Sequence, residues 1–430
     1  MQKLKIFYEN HRRWFYILQY LFYSAILLIL VTLIDLRLLP VQEHLPDLLM
    51  TKVHLAKGIL TTMAGALLTI TTFTFSTILA VMTMYASNYT PRVVENFVNM
   101  RITMQVLGIF VGGFFYCISM LIFMRDRFED EQVVAGVVAV MYSVIGIIFF
   151  VIFVQRVLTK FQGVNLIYDI AEAAAEVVRR EYKNRVETSE YVYEDDQDRR
   201  VVQSLHDGYL SAIDYDGLLA KLEKKPCRLL IEAQIGSYIV KGETLAYFNI
   251  EGQFEDTEEE KNLIREIADY FHMQDRKIGS EDYRYNIEKL VEMAVRALSP
   301  GINDPSTASH IIRKLGVILS ILAQTDDYHI AVQEGSHCDI FYSSYRFEED
   351  LYEFFTQIVN YGRSDILVLR AVFDALRIMA AGATEKHKKV LQDFAKYCLE
   401  AGEKGLKMRL DTEILRSYAH RFEDLLEGRA

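Results

Sequence analysis

Charge is missing from four long stretches of this 430-residue chain, and that absence decides more than any residue present. The stretches are Trp14 to Ile34, Gly58 to Pro91, Ile102 to Met124 and Gln132 to Gln155, none holding Asp, Glu, Lys or Arg. Each reaches the roughly 20 apolar residues that a helix needs to cross hydrocarbon. A single soluble domain is therefore excluded. Cysteine is scarce as well: Cys117, Cys227, Cys338 and Cys398 are scattered, with no C-x-x-C pair. That excludes a disulfide-built secreted module and fits a reducing compartment. A chain that is 51% hydrophobic is not disordered. No glycine-rich phosphate loop of either common type occurs, and no cofactor is implied.

The charges that are present are unevenly placed. Residues 1–160 hold 13 Lys+Arg and 9 Asp+Glu, whereas residues 161–430 hold 34 and 49. The second part is strongly acidic and repels phosphate, which argues against a nucleic-acid partner. Lys3, Lys5, Arg12 and Arg13 precede the first apolar stretch, and Arg156, Lys160, Arg179 and Arg180 follow the fourth. The positive-inside rule then puts both termini in the cytoplasm, as an even number of crossings requires. The first stretch is too long for a cleaved signal peptide and has no small-residue cleavage site.

The second stretch is unusual. Its 34 charge-free residues would span about 51 Å as a helix, against a hydrocarbon core of about 30 Å, so it must tilt, break or project. Thr62, Thr69, Ser76, Thr83 and Thr90 recur every seven residues, with Gly65, Thr72 and Ala86 at intervening positions and Leu79 as the exception. On a helix these form one stripe. Two readings stand side by side. Small and hydroxyl residues let helices pack closely; alternatively, copies of this helix line a polar pathway whose hydroxyls replace part of an ion's hydration shell. The pathway candidates are Thr62, Thr69, Thr72, Ser76 and Thr83. Gly108 and Gly112 in the third stretch, and Ala135, Ala139 and Ser143 in the fourth, read as packing seams. No ionisable residue lies in mid-membrane, which argues against a proton relay.

Beyond the membrane part, Phe161 to Tyr182 reads as an amphipathic helix and Asn184 to Asp198 as an acidic linker. Short β-rich runs follow (Tyr209 to Ile213, Arg228 to Ile231, Ser237 to Val240, Thr244 to Phe248), with a helical turn at Leu218 to Leu222. The segment Gly236 to Leu245 resembles the turn of barrel-sandwich hybrid folds such as biotinyl and lipoyl domains, and reads as a hairpin without a carrier role for Lys241. Thr257 and Glu260 have capping-box spacing. A helix from about Glu281 stops at Ser299-Pro300-Gly301, and the next starts at Asp304-Pro305. A hairpin over Tyr328 to Tyr345 and three or four amphipathic helices complete the chain.

The expected fold is an α-helical polytopic membrane protein with four transmembrane helices, then an α+β cytoplasmic region. That region holds a small β-barrel or sandwich-like module and a helical C-terminal part. The expected divisions are 1–160, 161–198, 199–252 and 253–430.

Three segments carry a resemblance: Arg296-Ala-Leu-Ser-Pro-Gly-Ile-Asn-Asp-Pro-Ser-Thr-Ala308, Phe75 through Phe97, and Asp207-Gly-Tyr-Leu-Ser-Ala-Ile-Asp214. Together they resemble an uncharacterised bacterial family of predicted integral membrane proteins, a domain of unknown function. The resemblance implies N-terminal membrane spans in a bacterial cytoplasmic (inner) membrane and a cytoplasmic C-terminal region, with no activity to transfer.

Asn303, Asp304, Ser306 and Thr307 open a helix whose first-turn N–H groups can hold an anion, so they are candidates for a ligand or regulatory loop. A rigid helix–loop–helix corner explains the same residues. His329, His337, Cys338 and Asp339 are close in sequence, but on an alternating strand Cys338 would face away from His337 and Asp339, so no metal site is assigned. No nucleophile–base pair is evident, which makes an enzyme the weaker class. The function expected is a homo-oligomeric ion channel or transport protein with an inorganic ion as cargo and the lipid bilayer as its surroundings. The alternative is a non-conducting, membrane-anchored scaffold or sensor whose cytoplasmic domain binds a protein or small ligand.

Overall fold

The computed structural model describes residues 2–39, 46, 49–88, 101–124, 132–160, 163–187, 199–222, 227–250, 257–277, 282–327, 329–333 and 338–429. Thr90, most of the expected acidic linker and residues 334–337 of the expected hairpin lie outside these residues. Two compact units are present, Met1–Asn165 and Leu166–Ala430.

The first unit is built from α1 (Gln2–Asp35), β1 (Thr51–Lys52), α2 (Val53–Asn88), α3 (Arg101–Phe123), β2 (Gln132–Val133) and α4 (Ala135–Lys160). All four helices are long and apolar enough to cross a membrane. Of the three alternatives for the second stretch, a break does not occur through Asn88: α2 is one uninterrupted helix of 36 residues. Its apolar interior lacks proline, so nothing removes a backbone hydrogen bond.

Helix α3 is the most enclosed, with Val106, Phe110 and Tyr116 fully buried. Its glycines explain the close approach. A Cβ on Gly112 would collide with Ser24 of α1 and Tyr142 of α4, and one on Gly113 would lie 2.6 Å from the Tyr142 ring. The space is filled instead by a polar knot, in which the Tyr142 hydroxyl donates to the Ile109 carbonyl (2.9 Å) and lies 3.0 Å from Ser24 Oγ. Gly136 of α4 meets Ala56 of α2, with Ala135 and Ala139 buried beside it. Small residues thus make the seams, as expected of helices in lipid. Asp35, ending α1, accepts from the backbone N–H groups of Val134 (2.8 Å) and Ala135 (3.3 Å) at the start of α4. A carboxylate there meets otherwise unpaired donors and the positive end of the helix dipole.

The second unit begins with α5 (Gly163–Glu187), which buries Ile167, Ile170, Ala174 and Val178 along one face. Then follow β3 (Arg200–Gln203), β4 (Gly208–Ile213), α6 (Tyr215–Leu222), β5 (Cys227–Ile231), β6 (Tyr238–Ile239), β7 (Thr244–Ile250), α7 (Thr257–Ala268) and β8 (Phe271–Gln274). The rest of the unit is α8 (Tyr283–Ala297), α9 (Pro305–Leu322), β9 (His329–Gln333), β10 (Cys338–Ser343), α10 (Phe347–Gly362), α11 (Ile366–Ala380), α12 (Glu385–Gly405) and α13 (Arg409–Leu426).

Among the described residues, the strands of this unit form two open sheets and no closed barrel: β3-β7-β5-β10-β9 and β6-β4-β8. The pairing of β5 with β10 is parallel, while the others are antiparallel. The hairpin at 329–343 therefore completes a sheet begun more than 100 residues earlier. Leu210, Leu229, Ile231, Phe248 and Ile340 form the core between strands and helices. Glu260 pairs with Arg200 of β3, while the Thr257 side chain lies outside those described. Asp304 caps α9 with Pro305 at its first position, as the sequence predicts.

Candidate functional site

Helix α2 has two distinct faces. Val53, Ala56, Leu60, Ala64, Leu67, Ile78 and Val81 are buried within the first unit. The hydroxyl stripe is on the other side, with Thr62, Gly65, Thr69, Thr72, Ser76 and Thr83 all exposed. Packing inside one copy of the unit therefore does not account for the stripe. Each described threonine hydroxyl on it is satisfied by its own helix. Thr62, Thr69, Thr72 and Thr83 donate to the carbonyls of Gly58, Gly65, Leu68 and Leu79 at 2.9–3.0 Å. Large apolar side chains are exposed on α2 as well (Leu68, Phe73, Phe75 and Leu79), as they are on α1 (Phe22, Ile26 and Ile29) and α4 (Met141, Ile145, Ile148 and Val151); the ordered hydroxyls are what α2 adds.

The corner between α8 and α9 is tied together by its own backbone. Asn303 N–H donates to the Ser299 carbonyl (2.9 Å), and Asp304 N–H to that of Ala297 (2.8 Å). Asn303 has a φ of 49°, a left-handed conformation that asparagine tolerates. The Asp304 carboxylate accepts from Thr307 N–H at 3.0 Å. Hydrogen bonds from the Thr307 side chain and from the backbone of Thr307 and Ser306 hold it below the usual carboxylate range. Asn303, Asp304, Ser306 and Thr307 thus come together, with the negative group at the helix end supplied from within the chain.

A cavity of about 320 Å³ opens in the second unit. One wall is the α5 face carrying Arg180, Glu181 and Asn184, and the loops after β5 and β10 supply Gln234 and Ser344. Both loops leave the C-terminal ends of the one parallel strand pair among the described residues, the usual place for a crevice in sheets with parallel strands. Asp282, the N-cap of α8, closes another side, with its Oδ1 accepting from Arg284 N–H (2.8 Å). Gly236 has a φ of 95°, and a Cβ there would strike the Asp282 carboxylate.

Behind this cavity is a buried ionic cluster. Arg185, 1% exposed, reaches Glu181 (3.1 Å), Asp327 (3.3 Å) and the Tyr345 carbonyl (2.9 Å). Asp327 also faces His387 at 3.4 Å. Burial pushes the Asp327 carboxyl up, but the His387 hydrogen bond and the Arg185 charge outweigh it and hold the group below its ordinary range. Asp350 is fully buried, bonded by the Tyr283 hydroxyl and paired with Arg284 at 2.7 Å. Sequence spacing gave one hint of this cluster: Glu181 and Arg185 share a helix face one turn apart.

Two of the scattered cysteines meet in space. Cys227 and Cys338, 111 residues apart, are opposite one another on β5 and β10 and form a disulfide. Scattered positions in sequence are adjacent positions in the parallel pair. Cys338 is therefore committed to Cys227, while His329 lies 3.9 Å from Glu232. His337 is outside the described residues.

The chain matches a family model, described as predicted membrane protein (DUF2254), over residues 10–378. Uncharacterized proteins of Mycobacterium bovis and Mycobacterium tuberculosis are 25% identical over 186 residues, covering 43% of this chain. The matched stretch spans 36% of those relatives' length. No solved structure matches the chain. Four apolar helices and a match over most of the sequence lead to one conclusion: the chain belongs to the predicted membrane protein family DUF2254.

Proposed function

We propose that the protein is a homo-oligomeric channel or transport protein of a bacterial inner membrane, with α2 lining the pathway and both termini cytoplasmic. The observation that carries this reading is the exposure of the α2 stripe. Exposed Phe73, Phe75 and Leu79 on α2 suit contact with lipid, as do the bulky groups on α1 and α4, while the stripe of threonine, serine and glycine beside them suits another helix or water. In a symmetric assembly one edge of the stripe packs against the next copy and the other faces the axis. Thr62, Thr69, Thr72, Ser76 and Thr83 then line the pathway at intervals of roughly 5–11 Å along the helix. The corner at Asn303, Asp304, Ser306 and Thr307 serves as a rigid joint in the regulatory unit.

Ion flux in liposomes tests the proposal. Purified protein should conduct above empty liposomes, and aspartate at Thr69 or Ser76 should change the rate or ion preference. Absence of flux, or alanine along the stripe without effect, refutes it. The cavity of the second unit favours a second reading, in which the spans anchor the chain and that unit binds a ligand.

A further inference from the structure

The cavity beside α5 is a built pocket, and its chemistry narrows what fits it. Every wall carboxylate already has its cation. Glu181 pairs with Arg185, and Asp282 with Lys277 at 3.2 Å. A cationic ligand would have to displace Arg185 or Lys277 from one of those buried pairs, which is costly. The part of a ligand that meets these carboxylates is therefore not a cation, while Arg180 also lines the cavity. Both Glu181 oxygens are also engaged, one by Arg185 and the other by the Tyr342 hydroxyl (3.1 Å). A sugar, dense in hydroxyl donors, finds few free acceptors there.

Flat surfaces and amide edges are what the pocket does offer. Tyr215 and Tyr342 line it with ring centroids 6.5 Å apart. Gln234 donates through Nε2 to the Ser344 carbonyl (3.3 Å), leaving its side-chain oxygen as an acceptor. Ser344 is 8% exposed, and its Oγ has no hydrogen-bond partner among the described residues. A buried hydroxyl without a partner is costly unless something completes it. Aromatic faces that stack on a ring, with a carboxamide and a hydroxyl to meet polar edges, are the elements that recognise nucleobases.

We propose that this cavity binds a nucleoside, holding the neutral base against Tyr215 and Tyr342 with Gln234 and Ser344 reading its edge. The site lies wholly within the second unit, so it stands or falls independently of conduction by α2.

Equilibrium dialysis of the full chain in detergent, with adenosine, guanosine, cytidine and uridine as probes and choline and ribose as controls, tests it. At least one nucleoside should bind saturably at one per chain. Ser344→Ala should weaken that binding about tenfold, the scale of one hydrogen bond, without lowering the melting temperature of the free protein. Gln234→Leu should weaken it at least as much. If no nucleoside binds at millimolar concentration, if choline or ribose binds instead, or if both variants bind like the parent, the proposal is overturned.

Discussion

Arg185 and Asp327 are 142 residues apart in the chain and 3.3 Å apart in space, with the guanidinium almost wholly buried. That pair, completed by Glu181 and the Tyr345 carbonyl, joins α5 to the segment between α9 and β9. Removing one partner of a buried ion pair leaves the others uncompensated. Arg185→Ala should therefore destabilise the second unit by about 3–5 kcal/mol. Hydrogen exchange should show faster opening of α5, and unchanged protection there would contradict the argument.

Asp350 gives the second unit a pH dependence. Burial pushes its carboxyl up to about 7, against the opposing pull of Arg284 and the Tyr283 hydrogen bond. A carboxyl whose folded pKa is raised binds its proton more tightly in the folded state. Its contribution to stability is complete below the unfolded value of 3.8 and is lost as pH rises through about 7. Stability, and with it the melting temperature, should fall between about pH 4 and 7, by at most about 1.4 kcal/mol per pH unit, and level off above that. Asp350→Asn should flatten that fall, and an equal slope in the variant would disprove the assignment.

Two glycines are required by geometry. Gly112→Leu has no room beside Ser24 and Tyr142, and overpacking of this kind costs about 1–3 kcal/mol. It should lower the temperature at which the detergent-solubilised chain aggregates. Gly236→Ala meets both a positive φ and the Asp282 carboxylate, so it should destabilise more than Gly242→Ala, where φ is 87° but a Cβ would meet nothing.

The Cys227–Cys338 bond should be visible by mass spectrometry. Alkylation of the denatured chain without reductant should label Cys117 and Cys398 only, and with reductant all four cysteines. Closing a loop of this length is worth about 4–5 kcal/mol on the chain-entropy estimate. Reductant should lower the melting temperature of the parent and leave the Cys227→Ser, Cys338→Ser double variant unmoved. Four reactive thiols in chain isolated under non-reducing conditions would refute the bond.

The features legible in sequence were those set by neighbours along the chain. Absence of charge marks Phe15–Asp35 and the other spans because hydrocarbon excludes charge locally. Asp304-Pro305 announces α9 because a cap acts within one turn. The strand at Thr244 and the hairpin at 329–343 follow from alternating patterns. What could not be read was pairing at long range. Nothing in the residues near Cys227 says that β10 lies beside β5, so the disulfide, the sheet order and the cavity at the strand ends were invisible together. The stripe on α2 was legible as a pattern, but its direction was not. Only the placement of Leu60, Leu67 and Ile78 against the neighbouring helices turns the threonines outward.

The hydroxyl protons of Thr62, Thr69, Thr72 and Thr83 all point back into α2, each held by a carbonyl one turn earlier. A hydroxyl has one proton and two lone pairs. With the proton engaged, what these groups turn outward is electron density alone. These four groups have a sign without carrying a charge: they turn lone pairs outward and no donor. In the proposed assembly, such groups on a helix without Asp or Glu from Val53 to Asn88 would favour a cation over an anion.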